Sequence, residues 1–271
     1  MIRRSIGLGL LAVLGLGAQA WAGQIYVNSP LVTIDSVGGT VANAKYRLSN
    51  TGFDVSIDNA PGTVTAADQV TATLGNVATT SGKVFDFVLE HRAGEGIIFS
   101  LDGPGSLDRT VSWGSFASTP GGSNRANLNG LLPPSAFNSL VLSARATQAG
   151  SSFAFDELNF SGAGLSLVDG GFLSGTVTPG SGDPLGFANQ RLYSSVNLAG
   201  VDWTLTGRIS GTKLLTGGDE TVRFNVGFQQ VTAAVVPEPS TLAMAGIGSV
   251  ALAGVGLLRR RKQRRADRGL S

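Results

Sequence analysis

Cysteine is absent from this chain of 271 residues, and histidine occurs once, at His91. The first absence excludes a disulfide framework, a thiol nucleophile and thiolate metal sites, so folding must rest on burial alone. The second leaves His91 as the sole imidazole available as a base, and no Gly-x-Ser-x-Gly elbow accompanies it. Because His91 closes a face made by Phe85, Phe87 and Leu89, it is expected to be packed rather than catalytic. Charge is scarce at 14% of residues, and phosphate loops, dinucleotide fingerprints and internal repeats are missing. Gly and Pro number 39 and 10, below the share that marks a low-complexity chain. The body should therefore fold.

Basic charge gathers at the two ends. Arg3 and Arg4 precede an apolar segment at 6–17, and Ala20-Trp21-Ala22 is a small-x-small cleavage site. Residues 1–22 thus read as a secretory signal peptide, cut after Ala22 and exported through the Sec translocon. The residues flanking Arg3-Arg4 fit a twin-arginine signal poorly. Of 20 Lys and Arg, 11 remain in residues 23–236, against 16 of the 18 acids, so the body carries −5. The whole-chain excess of base belongs to topology signals and is no argument for nucleic-acid binding.

The C-terminus has three parts in order: Pro237-Glu238-Pro239-Ser240, an uncharged run opening at Thr241 and closing at Leu258, and the cluster Arg259-Arg260-Arg261-Lys262-Gln263-Arg264-Arg265. The two prolines fix φ and lack N–H donors, so the first part is an extended, accessible peptide. The run between, at about 1.5 Å per residue, reaches roughly 27 Å, enough for one short transmembrane helix. The basic cluster costs about 2.5–3.5 kcal/mol per charge at the bilayer centre and stops transfer on the cytoplasmic side. In this order the parts resemble the PEP-CTERM sorting signal of bacterial exported proteins, over about the last three dozen residues. The resemblance implies exosortase, a membrane-embedded cysteine transpeptidase-like protease, as the partner that cuts near the motif. It also implies a Gram-negative inner-membrane precursor with a periplasmic ectodomain, and a mature form at the cell surface or in a biofilm or exopolysaccharide matrix. The expected divisions are a signal peptide at 1–22, an ectodomain at 23–236, the sorting signal at 237–265 and a cytoplasmic end at 266–271.

Between the ends, short apolar runs are punctuated by glycine, the pattern of an all-β protein. Strands are expected at 25–27, 31–34, 45–48, 53–57, 84–91, 96–101, 110–113 and 140–146, and in a Thr/Ala/Val region at 63–74. The cleanest later alternations are Val201, Trp203, Leu205 and Ile209, then Val222, Phe224, Val226 and Phe228. Together they predict a two-sheet antiparallel sandwich, jelly-roll-like or Ig-like. Within Ser152-Phe153-Ala154-Phe155-Asp156-Glu157-Leu158-Asn159-Phe160 the large apolar residues switch from odd to even positions. A period-2 strand keeps all four on one face only if one residue is inserted, which predicts a β-bulge at Asp156-Glu157.

No constellation names a reaction, so no catalytic residue and no required cofactor are expected. Oxygen-rich loops would favour calcium, with Asp102, Asp108 and Asp156 as weak candidates that match no known loop spacing. Two rival readings are a carbohydrate-binding module, through calcium or through Trp113, Trp203 or Tyr193 where exposed, although the alternation places Trp203 in the core, and a polysaccharide-active enzyme using Glu90, Asp156 or Glu157.

Overall fold

The computed structural model describes residues 23–48, 53–59, 65–75, 80–118, 122–180, 189–213 and 222–235. The signal peptide, the sorting peptide, the transmembrane run and the basic cluster expected from sequence lie outside the described residues.

Alternating apolar residues build fifteen strands there: β1 (Gly23–Val27), β2 (Val32–Leu48), β3 (Phe53–Asp58), β4 (Gln69–Gly75), β5 (Val84–Arg92), β6 (Gly96–Asp102), β7 (Arg109–Gly114), β8 (Ser123–Arg125), β9 (Ser139–Ala146), β10 (Ser152–Gly162), β11 (Leu165–Gly170), β12 (Gly175–Val177), β13 (Asn189–Ser194), β14 (Trp203–Thr212) and β15 (Val222–Val235). One sheet has the order β11-β1-β13-β9-β15-β2-β3-β4 and the other β12-β10-β14-β5-β6-β7-β8. The protein is thus an all-β sandwich, with two departures from expectation. Eight and seven strands exceed an immunoglobulin domain or an eight-stranded jelly roll. The pairing is also mixed, because β1 runs parallel to the edge strand β11 and β7 parallel to the edge strand β8.

The two inner faces meet in an aromatic core. Phe53 and Phe85 stack at 5.0 Å, and Phe153 stacks on Phe224 at 5.7 Å. The buried residues of β9 and β15 are those expected: Leu140, Leu142, Ala144 and Ala146, then Val222, Phe224, Val226 and Phe228. Toward one end of the sandwich, Trp203 packs against Phe228, Phe160 and the edge of Phe137. Burying such rings supplies the apolar stabilisation that a chain without cysteine requires.

The β-bulge is present, one residue further along than expected. Asp156 pairs with Arg208 and Asn159 with Thr206, so Glu157 and Leu158 face Gly207 alone. Glu157 takes φ of 53°, a left-handed conformation rare for a side-chain-bearing residue. The inserted residue keeps Leu158 and Phe160 packed against the core together with buried Phe153 and Phe155.

The segments expected as separate strands at 31–34 and 45–48 belong to one strand, β2, which pairs with β15 from Leu48↔Val222 to Val32↔Val235. Gly38-Gly39 looks like a turn but forms a bulge, with Gly39 at φ 94°. Each of the three register shifts along this ribbon places an extra residue in β2. Those insertions bend the ribbon, as chain length demands. Val27 is level with Phe228 through Leu192 and Leu140. A straight ribbon would carry Val32 about 23 Å beyond that level and about 19 Å to the side. Five residues reach at most roughly 18 Å. The ribbon therefore turns back toward β1, where the Val32 N–H donates to Ser29 O at 3.4 Å.

Candidate functional site

The last strand, β15, lies in the interior of its sheet between β9 and β2. It ends at Val235 opposite Val32, three residues after Ser29. The Ser29 hydroxyl donates to the Asp169 carboxylate on β11, which joins the foot of the ribbon to the β1–β11 edge. Beyond β9, the exposed side of β15 is met by Asn138, whose Nδ2 donates to Val231 O (2.9 Å) and whose Oδ1 accepts from Val231 N (2.8 Å). One amide thus substitutes for a strand neighbour. Gln190, fully buried on β13, does the same for the loop after β11: its Nε2 donates to Leu173 O (2.9 Å) and its Oε1 accepts from Leu173 N (2.7 Å). At both places a side-chain amide stands in for a missing strand partner.

The acidic candidates do not converge. Asp102 ends β6 opposite Asp86 and is exposed; Asp108 is exposed across the β6–β7 turn. Asp156 is on β10, where its two oxygens accept from Arg208 Nε (3.1 Å) and Nη2 (3.2 Å). The same guanidinium reaches Glu157 Oε1 at 2.8 Å. The bulge thus turns neighbouring carboxylates that would otherwise point to opposite faces toward one cation, and the two carboxylates hold the Arg208 guanidinium more basic than usual. Among the described residues no group of three or more His, Asp or Glu side chains is disposed to hold a metal ion.

Glu90 accepts from Arg92 Nε at 2.6 Å beside a shallow hollow of about 460 Å³ that Asp202 also lines. Asp202 accepts the Ala93 N–H at 2.7 Å, so each carboxylate of the hollow has an internal partner. His91 lies beneath, 3% exposed, stacked on Trp203 at 5.7 Å and 11° and edge-on to Phe137 at 5.5 Å. Its Nδ1 lies 3.0 Å from Val201 O, a bond that the neutral ring makes as donor. Burial lowers its pKa below the ordinary histidine value, against the raising effects of Val201 O and Asp202. The packed role expected for His91 is what the structure shows. Trp203 is in the core, as its alternation predicts, and no aromatic platform forms from the other two candidates: Trp113 is buried, and Tyr193 is half-buried opposite Tyr26.

Residues 235–262 match the model of the PEP-CTERM protein-sorting motif. The match begins on the last residue of β15 and spans Pro237, Glu238, Pro239, Ser240, Thr241, Leu258, Arg259, Arg260, Arg261 and Lys262; Arg264 and Arg265 fall beyond it. It covers about a tenth of the chain and speaks for the tail alone. The motif implies exosortase as the processing partner and export with membrane-associated sorting. No curated protein matches the chain.

Proposed function

We propose, from the PEP-CTERM protein-sorting motif at its end, that this chain is an exported, non-enzymatic surface or extracellular-matrix protein. Its sandwich is the cargo and its last three dozen residues are the address. The observation that carries this is the junction: the motif match starts at Val235, where an interior strand of the larger sheet ends. The folded body and the processed tail therefore share a boundary with no spacer between them.

In this reading the Sec translocon exports the chain, Ala20 and Ala22 direct removal of the signal peptide, and the apolar run from Thr241 to Leu258 holds the precursor in the inner membrane. The cluster from Arg259 to Arg265 keeps the end cytoplasmic. Exosortase then cuts near Pro237-Glu238-Pro239, and the cysteine chemistry belongs to that enzyme. A non-enzymatic body is supported by the engagement of Asp156 and Glu157 with Arg208 and of Glu90 with Arg92. Delivery to an exopolysaccharide or biofilm matrix is the destination that such sorting favours.

Intact-mass measurement of the protein from cells with and without exosortase tests the reading. With the enzyme, the mature chain begins at Gly23 and ends beyond Val235 without the basic cluster; without it, the tail is retained. Retention of everything through Ser271 in both samples would sink the proposal.

A further inference from the structure

The β11 corner carries apolar surface that the sandwich does not use. Leu167 is 60% exposed, Val168 36% and Leu173 36%. Val168 is the extra residue of a bulge, since Ile25 pairs with Leu167 and Tyr26 with Asp169. A bulged residue is re-aimed out of the strand, and the bulge blunts an edge that would otherwise recruit another strand. Leu173 is held in place by the buried Gln190 amide on both of its backbone groups. Leu167 also lines an apolar groove of about 180 Å³ with Ile25, Val27, Leu158, Phe160 and Phe172. The exposed surface is therefore fixed in position.

The tail leaves from the same corner. Val235 pairs with Val32, Val32 bonds to Ser29, and Ser29 bonds to Asp169, the neighbour of Val168. Residues 236–240 separate Val235 from the apolar run and reach at most about 20 Å. The headgroup layer on one side of a bilayer takes up about 5–8 Å of that. A body on so short a leash meets the lipid with the side from which the leash emerges.

We propose that the face formed by Leu167, Val168 and Leu173 rests on the periplasmic surface of the membrane while the precursor is anchored, seating its side chains among the headgroups. The inference rests on the tail being membrane-embedded, as proposed above. Apolar side chains at a protein surface bind the interfacial zone in proportion to the area they bury there. The exposed Val84 serves as the contrast. It opens β5, whose next residue Phe85 stacks on Phe53, itself paired through Leu48 with Val222 at the start of β15, so Val84 lies at the end of the sandwich away from Val235. The proposed face turns it away from the lipid.

The absence of cysteine makes the test direct. The full chain carrying Val168→Cys, Leu173→Cys or Val84→Cys is labelled with an environment-sensitive fluorophore and reconstituted into phosphatidylethanolamine/phosphatidylglycerol vesicles containing a nitroxide lipid. Labels at 168 and 173 are expected to be quenched severalfold more than the label at 84. Protein that floats with the vesicles but shows equal quenching at all three positions overturns the proposal and leaves the anchor intact. So does shielding of 168 from water without lipid quenching, accompanied by 168–168 crosslinks between two copies. Protein that does not float at all overturns the anchor, and the docking face with it.

Discussion

At the scale of single residues, the fold assigns His91 and Gln190 to support. His91 is buried and neutral, with its pKa lowered by desolvation. Between its unfolded value, about 6.5, and its lower folded value, the unfolded chain binds the extra proton, so stability falls as pH drops through that window. Urea midpoints of the wild type should decline between pH 7.5 and 5.5, whereas those of His91→Phe should decline less. Equal declines would remove His91 as the cause. Gln190→Leu keeps the side-chain volume but leaves the Leu173 N–H and C=O without the amide, and should cost about 1–3 kcal/mol in urea unfolding. A change within error would mean that other groups satisfy that backbone.

At the scale of elements, the bulge in β10 makes a sharp prediction. Deleting Glu157 removes the inserted residue and forces a choice between a new register and the exposure of Leu158 and Phe160. The expected loss is on the order of 2–4 kcal/mol, judged from the burial of two large side chains. Glu157→Gly, which suits φ of 53° at the expense of an exposed ion pair, should stay within about 1 kcal/mol of wild type. If the deletion is as mild as the glycine substitution, the bulge is not what orients those side chains.

This bulge was legible because Phe153, Phe155, Leu158 and Phe160 change parity in the sequence. Strands with one buried face, such as β5, β9 and β15, were legible for the same reason. The strands missed are of other kinds. β11 is mostly exposed, β8 and β12 are three residues long, and β13 buries Gln190 and Ser194 on the face where hydrophobic residues would have announced it. β2 was split in two because Gly38-Gly39 carries the composition of a turn, while its long partner strand imposes a bulge. Parallel pairing at β1–β11 joins segments more than a hundred residues apart, and nothing local encodes it.

At the scale of the whole molecule, the order of strands along the chain constrains processing. A chain stopped after Val235 retains every described strand, and its exported product should melt cooperatively with the same midpoint as the processed protein. A chain stopped after Thr221 lacks the strand that joins β9 to β2, and no soluble folded product is expected among the exported protein. Recovery of folded protein from the shorter chain would show that β15 is dispensable. The sorting tail was legible because its logic is linear: a Pro-Glu-Pro peptide, an apolar run and a basic cluster follow one another. The surroundings of its exit were not, since they depend on Ser29, Asp169 and Gln190 meeting through tertiary pairing.

The position of β15 has a consequence for manufacture. A polypeptide abandoned partway through translation lacks both its delivery label and the plank on which the larger sheet closes. Such a fragment leaves the facing edges of β9 and β2 unpaired, and limited proteolysis is expected to cut it faster than the finished protein.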